Sequence, residues 1–262
     1  MLRDHRAIVV TFADKAAVRD YVAKVVGAQY LPNTFAIVND PSTMLGLDLP
    51  DAYVVKPTHG SGAAIVVSDS ASFDARLPSV GSSWVYRHVR PEFAIREDVI
   101  RIAREWIAQL YGQGPNREWV YGQVPRRVII EEMLVDANGA IPVDYKFFIF
   151  HGKCAFIQVD SGRFERRTQD FFRPDWQHVP LSGGPPWAEP TPARPANLEQ
   201  MIQLAQRLAV DTDFVRVDLY DVNGRIVFGE LTSFPAGGDT PFEPDCFNEE
   251  FGRLWSVPHR YG

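Results

Sequence analysis

Residues 214–232, FVRVDLYDVNGRIVFGELT, contain the feature that says most about the fold of this chain. Two runs rich in β-branched and aromatic residues flank an Asn-Gly pair, and this arrangement predicts a β-hairpin. Side chains alternate along a strand, so every second residue shares a face. The polar members of the alternating sets are Arg216, Asp218 and Tyr220 on the first strand, and Glu230 and Thr232 on the second.

The register of this hairpin decides whether the charged groups meet. A two-residue turn at Asn-Gly places Glu230 on the face opposite to Asp218. A three-residue loop that includes Asn-Gly pairs Asp221 with Arg225 and sets Arg216 opposite Glu230. We predict the three-residue loop, because the other register would bury a lone carboxylate. A bulge near Glu230 would also bring the two faces together.

The residue types of the hairpin suit phosphate chemistry. Carboxylates that project together, as Asp218 and Glu230 do in the predicted register, are oxygen ligands of the kind that Mg²⁺ prefers. A neighbouring Arg216 can hold phosphoryl oxygens through two parallel hydrogen bonds. The alternative is a solvated ion pair between Arg216 and Glu230 on an exposed sheet face.

The segment KPTHGSG (56–62) is a second candidate for phosphate binding. Its small residues allow the backbone to approach a ligand, and successive N–H groups can form an anion nest. Lys56 precedes the loop and could reach a phosphate. The segment is not a Walker A loop, because no Gly-Lys-Ser/Thr follows. A glycine-rich turn without a ligand is the alternative.

A third candidate is EEML (131–134), which ends a predicted strand and precedes Asp144 and Lys146. Glu131 could accept a hydrogen bond from an adenine amino group. Asp144 could accept from ribose hydroxyls, and Lys146 could meet phosphate. The alternative is a strand end with ordinary surface charge.

Apolar periodicity along the chain predicts a mixture of helices and strands. The helices are expected at 14–26, 98–110, 197–210 and 247–255. Strands are expected at 52–57, 63–69, 127–134, 143–150, 153–160 and in the hairpin 214–232. Hairpins outnumber β-α-β units, so the predicted class is α+β with antiparallel sheets. Residues 161–195 lack a clear period and are predicted to form a functional loop.

Composition excludes several classes of protein. The 262 residues carry a formal net charge of −6, which argues against unspecific binding to nucleic acid or to an anionic membrane. No apolar run approaches the roughly 20 residues that cross a bilayer. Two cysteines, Cys154 and Cys246, indicate reduced thiols in a cytoplasmic protein. His59, His151 and His178 are too scattered for a zinc site.

Arginines cluster within RFERRTQDFFRPDW (163–176), against the negative charge of the whole chain. One interpretation is that they capture a carboxylate or phosphate substrate. The other is a solvated loop in which the arginines pair with Glu165, Asp170 and Asp175. The arginines concerned are Arg163, Arg166, Arg167 and Arg173.

Together these segments resemble the ATP-grasp superfamily, and in particular its TupA-like proteins, named for teichuronopeptide biosynthesis. The resemblance runs from Asp14 to about Trp255. Its most specific parts are VDYKFFIFHGKCAFIQVDSGRF (143–164) and FVRVDLYDVNGRIVFGELTSFP (214–235). Weaker parts are DKAAVRDYV (14–22), KPTHGSG and EEML.

The resemblance implies an ATP-grasp fold, in which two α+β subdomains with antiparallel sheets sandwich ATP. The separate N-terminal domain of the superfamily is expected to be absent or reduced to one strand, AIVVTF. The expected division is an N-terminal segment with the first helix (1–50), a glycine-rich-loop subdomain (51–130) and a C-terminal subdomain with the metal site (131–262).

The resemblance also implies roles for individual residues. Asp218 and Glu230 are expected to hold two Mg²⁺ ions, with Thr232 at the position of a third ligand that is often Asn. Arg216 is expected to stabilise a tetrahedral intermediate, with Lys146 as a second catalytic residue. Separately from the resemblance, the arginine-rich segment makes the four arginines named above the candidates for substrate binding. The residues expected to bind ATP are Lys15, Lys56, His59, Gly60, Ser61, Gly62, Glu131, Glu132, Met133, Leu134 and Asp144.

The activity that the resemblance implies is carboxylate–amine ligation, with ATP and Mg²⁺ as cofactors and an acyl phosphate as the intermediate. The expected partners are small-molecule carboxylates and amines, namely an amino acid, a sugar acid or a natural-product precursor. We expect no nucleic acid or membrane partner, and a homo-oligomer is compatible with the sequence. The alternatives are an ATP-grasp phosphotransferase and a non-catalytic module that binds nucleotide or sugar.

Overall fold

The computed structural model describes residues 4–112, 118–162, 164 and 166–258. The chain divides into two compact units. The first comprises Met1–Phe12, Arg19–Leu31 and Ile141–Gly262, and the second comprises Ala13–Val18 and Pro32–Ala140. One β-sheet lies in each unit, which confirms the predicted α+β class.

The predicted helices are all present, with small differences at their ends. Asp14 precedes the second helix, and its Oδ1 accepts a hydrogen bond from the Ala16 N–H at 2.9 Å. This is the interaction expected of a residue that caps a helix N-terminus. The α-helices of the described residues are α1 (Ala7–Ala13), α2 (Ala17–Val25), α3 (Arg96–Ala108), α4 (Leu198–Leu208) and α5 (Cys246–Leu254).

The sheet of the second unit has five strands in the order β1-β5-β2-β3-β4. The strands predicted at 52–57 and 63–69 are confirmed as β2 and β3, which pair as an antiparallel hairpin, and β3 pairs with β4 in parallel. Val99, Ile102 and Trp106 of α3 are fully buried in the core cluster that includes these strands. The strands are β1 (Thr34–Val38), β2 (Tyr53–Pro57), β3 (Ala64–Val67), β4 (Tyr86–Val89) and β5 (Val128–Glu132).

The sheet of the first unit has six antiparallel strands in the order β11-β10-β6-β7-β8-β9. Helix α4 packs against β6, β7 and β10. Phe148, Phe156 and Phe171 form a core cluster with Phe247 of α5. The strands are β6 (Asp144–Phe150), β7 (Lys153–Ser161), β8 (Thr168–Phe172), β9 (His178–Val179), β10 (Phe214–Val222) and β11 (Arg225–Thr232).

The expectation that AIVVTF forms a strand is wrong, because these residues belong to α1. Val9 and Phe12, three residues apart, are the buried side chains of this helix. Residues three apart share one face of a helix, whereas they lie on opposite faces of a strand. Packing of this one face therefore selects the helix over the strand propensity of Ile and Val.

The expectation of a loop throughout 161–195 is wrong in part, because β8 and β9 lie within it. The polar residues Gln169 and Asp170 are buried in β8, at 6% and 0% exposure. Each of the two side chains makes hydrogen bonds, as buried polar groups require. These polar positions hide the alternation of apolar residues by which a strand is recognised.

The predicted register of the final hairpin is also wrong. Val222 pairs with Arg225, so the turn has two residues, and Asn223 and Gly224 both have positive φ, at 54° and 86°. Such angles define a type I′ turn, which favours Asn-Gly. The extra residue lies in β11 instead, as a bulge at Gly229. A bulge near Glu230 was the alternative given above, and it brings Glu230 onto the same sheet face as Asp218.

None of the helices formed by the described residues combines the length and the apolar character needed to span a bilayer.

Candidate active site

A buried cluster of charges lies where β10 and β6 pair in the first unit. Asp218 is paired with Lys146 across the two strands and with Glu230 across β10 and β11. Its Oδ1 accepts from Arg216 Nε at 2.7 Å, and its Oδ2 accepts from Arg216 Nη2 at 2.7 Å and from Lys146 Nζ at 2.9 Å. Lys146 Nζ also donates to Asp144 Oδ2. Four predicted site residues therefore form one hydrogen-bonded group.

The charges within this cluster stabilise one another. Asp218 and Lys146 are 3% and 6% exposed, and burial alone would favour their neutral forms. The charges of Arg216 and Lys146 outweigh burial, so that the pKa of Asp218 lies below its usual value. Likewise, Asp144 and Asp218 outweigh burial and raise the pKa of Lys146. Asp218 and Lys146 are therefore both held in their charged forms.

Glu230 and Thr232 extend this cluster to the edge strand β11. Arg216 Nη2 donates to Thr232 Oγ1 at 3.1 Å and lies 3.6 Å from Glu230 Oε2. Thr232 Oγ1 lies 3.2 Å from Glu230 Oε2 and donates to it. The Glu230 side chain is 33% exposed, in contrast to 5% for Asp218. Glu230 is thus the solvent-accessible carboxylate of the pair, and Thr232 orients it.

The chemistry of this cluster fits a divalent cation. Glu230 and Asp218 lie directly opposite each other, and carboxylates are suitable ligands. With Asp144 and Asp160 they make four carboxylates around Lys146 and Arg216, and the exposed Arg167 also contacts Asp160. The described residues hold no group of three His, Cys, Asp or Glu placed for a metal ion. Two carboxylates suffice for Mg²⁺, which usually completes its shell with waters and substrate phosphates.

Three residues of the cluster were missed in the sequence. Asp160 Oδ2 lies 3.9 Å from Lys146 Nζ, and Gln158 and Gln169 donate to the carboxylate of Asp160. Gln158 and Asp160 are polar residues at alternate positions of an otherwise apolar strand, KCAFIQVD. Polar alternation within an apolar run was therefore the signal that could have identified Gln158 and Asp160.

The arginines proposed for substrate binding do not gather in one place. Arg167 is exposed and its Nη2 lies 3.3 Å from Asp160 Oδ2, beside the charged cluster. Arg173 lies at the other end of β8 and holds Glu250 by two hydrogen bonds, of 2.6 and 3.0 Å. Arg166 is exposed, and Arg163 lies outside the described residues. Arg167 is thus the described candidate that contacts the cluster.

In the second unit, Lys56 and Glu131 form an ion pair on adjacent strands β2 and β5. Glu131 is 5% exposed. The next residue, Glu132, accepts from the backbone and side-chain N–H groups of Asn33 at 2.8 and 3.1 Å, which anchors the end of β5. Met133 and Leu134 are half-buried after this strand ends.

The glycine-rich segment of the second unit is held by aromatic residues. Gly60 has a φ of +73°, and a Cβ there would lie 2.6 Å from the Tyr111 ring and 2.7 Å from Trp84. Ser61 O accepts from Trp84 Nε1 at 2.7 Å, and Gly60 O accepts from Lys15 Nζ at 2.5 Å. Glycine at position 60 is therefore required both by conformation and by space. Gly62 also has positive φ, at +85°.

We expect the stability of the chain to fall as pH falls from 7 to 5, and His59 to contribute. His59 is fully buried, and burial lowers its pKa despite the hydrogen bond to Gln109 O at 3.1 Å. A lowered folded-state pKa contributes stability above the unfolded value of about 6.5, which is lost as pH falls towards the folded value. Urea unfolding at pH 7, 6 and 5 measures this loss.

The substitution His59→Gln should reduce that pH dependence. The dependence that remains would report His88, whose pKa is also lowered by burial. An unchanged dependence in the variant would contradict the assignment to His59.

Two α+β units, one with a charged final hairpin and the other with a glycine-rich turn, define the ATP-grasp class of protein. The chain belongs to the TupA-like ATP-grasp family, whose model matches residues 1–256. The resemblance seen in the sequence is thereby confirmed. No curated protein matches the chain.

Three solved structures are similar to the chain at low sequence identity. The L-amino acid ligase from Bacillus licheniformis is 12% identical, with 90% of this chain and 46% of that chain covered and a TM-score of 0.48. The D-alanine–D-alanine ligase from Bacillus anthracis complexed with ATP is 15% identical, with 86% of this chain and 57% of that chain covered and a TM-score of 0.42. N5-carboxyaminoimidazole synthetase from Staphylococcus aureus is 8% identical, with 88% of this chain and 46% of that chain covered and a TM-score of 0.44. The chain spans about half the length of these structures.

Proposed function

We propose that this chain is an ATP- and Mg²⁺-dependent carboxylate–amine ligase. The observation that carries the proposal is the buried group of Arg216, Asp218, Lys146 and Asp144 beside the accessible Glu230. Membership of the TupA-like ATP-grasp family supports it. The acceptor is a small carboxylate and the nucleophile is an amine.

The reaction has two steps. A carboxylate oxygen attacks the γ-phosphorus of ATP, the bond to the β-phosphate oxygen breaks, and an acyl phosphate and ADP form. The amine nitrogen then attacks the acyl carbon and loses a proton, and phosphate leaves with the electron pair of the broken carbon–oxygen bond. The product is an amide, and no side chain needs to act as a nucleophile.

The charged cluster suits both steps. Asp218 and Glu230 would hold Mg²⁺, which neutralises charge on the phosphates when bound. Arg216 carries a fixed positive charge, since its raised pKa keeps it protonated, and would stabilise the oxyanion of the tetrahedral intermediate. Lys146 would meet the transferring phosphoryl group. Preorganised charge of this kind costs no rearrangement during the reaction.

For the nucleotide, the proposal assigns residues of the second unit. Lys15 and Lys56 would contact phosphates, and the glycine-rich segment would offer backbone N–H groups. Glu131 to Leu134 would hold adenine. The sequence motifs and the family support these assignments.

A product assay tests the proposed function. The chain is incubated with ATP, Mg²⁺ and a panel of amino acids and dipeptides, and the products are identified by mass spectrometry. We expect ADP, inorganic phosphate and an amide in equal amounts, with phosphate release dependent on the amine. Hydroxylamine should replace the amine and give a hydroxamate. Phosphate that stays on the acceptor would indicate a phosphotransferase and contradict the ligase.

We expect Arg167→Ala to raise the KM of the carboxylate substrate about tenfold, which corresponds to the loss of roughly one charge-assisted hydrogen bond. The KM of ATP should change much less. Arg167 is suited to this role because its side chain is 54% exposed beside the cluster. The matched control is Arg194→Ala, an exposed arginine paired with Glu199, which should alter neither constant. Equal effects on both constants would remove Arg167 from the acceptor site.

A further inference from the structure

Two buried glutamines and one carboxylate continue the charged cluster across β7 and β8. Asp160 Oδ1 accepts from Gln158 Nε2 and from Gln169 Nε2, each at 3.0 Å. Asp160 Oδ2 accepts from Gln158 Nε2 at 3.1 Å and from Arg167 Nη2 at 3.3 Å. The Asp160 side chain is 11% exposed, and the two glutamines are 7% and 6% exposed. These three side chains therefore form a fixed polar group next to Lys146.

The position of Asp160 is unfavourable for stability. It lies directly opposite Asp144 in the pairing of β6 and β7. Like charges opposite each other destabilise a sheet, and two buried carboxylates do so more strongly than exposed ones. Two cations offset part of the repulsion: Lys146 Nζ contacts Asp144 and lies 3.9 Å from Asp160 Oδ2, and the exposed Arg167 lies 3.3 Å from the same oxygen. A neutral residue at 160 would avoid this cost.

Sites at which a sequence accepts such a cost are commonly functional. Lys146 is attracted by three carboxylates from different strands, those of Asp144, Asp160 and Asp218. Two of them contact its ammonium directly. The third, held by the glutamines, attracts the ammonium from the side of β7.

We propose that Asp160 is a positioning residue, which, held by Gln158 and Gln169, fixes the Lys146 ammonium for phosphoryl transfer. This inference rests on the proposed function, since it assumes that Lys146 acts on the transferred group. Asp160 itself touches neither substrate nor metal in this account. Its effect reaches the reaction through Lys146.

The substitution Asp160→Asn tests this role. It keeps the size of the side chain, and the amides of Gln158 and Gln169 can rotate to present an oxygen to the new N–H₂ group. The fold should therefore persist, while the attraction on Lys146 is lost. We expect kcat to fall about 10- to 100-fold, as for residues that orient a catalytic group, with the KM of ATP within about threefold of wild type.

The melting temperature separates positioning from a structural role. Because the variant removes a like-charge pair, we expect its melting temperature to be held or raised. The matched control is Asp170→Asn, a carboxylate of β8 with 0% exposure that accepts from His178 Nε2 at 2.9 Å and from Ala188 N at 3.0 Å. Asp170 follows Gln169 and so lies on the other face of the sheet. The substitution Asp170→Asn should lower the melting temperature and leave kcat unchanged.

A crystal structure of Asp160→Asn gives a readout that does not depend on turnover. We expect the Lys146 ammonium to be displaced from its position in the wild-type chain. If the wild type shows no ATP-dependent turnover, the proposed function fails, and this structure still decides the inference. Three results would overturn the positioning role of Asp160. They are an unmoved Lys146, an unchanged kcat in an active protein, and a melting temperature lowered as much as in Asp170→Asn.

Discussion

The substitution Glu230→Gln should reduce turnover by at least about a hundredfold and leave the fold intact. Glu230 lies opposite Asp218 and is the accessible carboxylate of the pair that we propose for Mg²⁺. Glutamine keeps the shape of the side chain but removes its charge, which weakens metal binding and the stabilisation of phosphoryl charge. Losses of about 10²–10³ in kcat are typical when one such electrostatic group is removed. Phosphate release at saturating ATP measures the effect.

The control for this prediction is Glu199→Gln. Glu199 is exposed on α4 and pairs with Arg194, and neither residue belongs to the charged cluster. Turnover should stay within about twofold of wild type, as expected for a surface substitution remote from the site. Near-wild-type activity of Glu230→Gln would remove Glu230 from the site.

The substitution Lys146→Met should lower the free energy of unfolding by about 3–5 kcal/mol, the usual cost of removing one partner from a buried ion pair. Methionine fits the space of the lysine stem but supplies no charge. Asp144 and Asp218 would each lose an ammonium partner while remaining buried, at 4% and 3% exposure. Turnover should be lost as well. Urea or guanidinium unfolding gives the stability.

Lys153→Met is the matched control, because Lys153 is an exposed residue at the start of β7. A change within about 0.5 kcal/mol is expected there. If Lys146→Met costs no more than this control, the buried charges do not stabilise the fold in the way described.

Much of the fold could be predicted from the sequence, because hydrophobic periodicity reports which face of an element is buried. This periodicity predicts the helices at 98–110 and 197–210, and apolar runs predict the strands at 143–150 and 153–160, each within a few residues of its observed ends. The edge strands β1 and β4 were not predicted. In β1, Phe35 and Ile37 are 39% and 40% exposed, so its pattern does not distinguish a buried face.

The register of the final hairpin shows what local reasoning leaves open. The predicted register sets Arg216 opposite Glu230, whereas in the structure Asp218 lies opposite Glu230 and Arg216 opposite Thr232. The chain places the extra residue at Gly229 and keeps the two-residue turn. A Cβ at Gly229 would lie 2.9 Å from the Tyr220 ring and 3.1 Å from Asp218 O, so the bulge needs glycine. This close approach is a property of tertiary structure.

The candidate site was predicted in part for a similar reason. Residues with a distinctive spacing, such as Arg216 and Asp218, stand out in one strand. Gln158, Asp160 and Gln169 join the cluster only because β6, β7 and β8 are neighbours in the sheet. The contacts between these side chains depend on which strands pair, and strand pairing is not evident from local sequence patterns.

A crystal structure with Mg²⁺ and a non-hydrolysable ATP analogue tests most directly for the metal-dependent phosphoryl site that we propose at the final hairpin. We expect Mg²⁺ bound to carboxylate oxygens of Asp218 and Glu230, with the γ-phosphate beside Lys146. A metal held by other residues, or a nucleotide whose phosphates lie away from this cluster, would contradict the account.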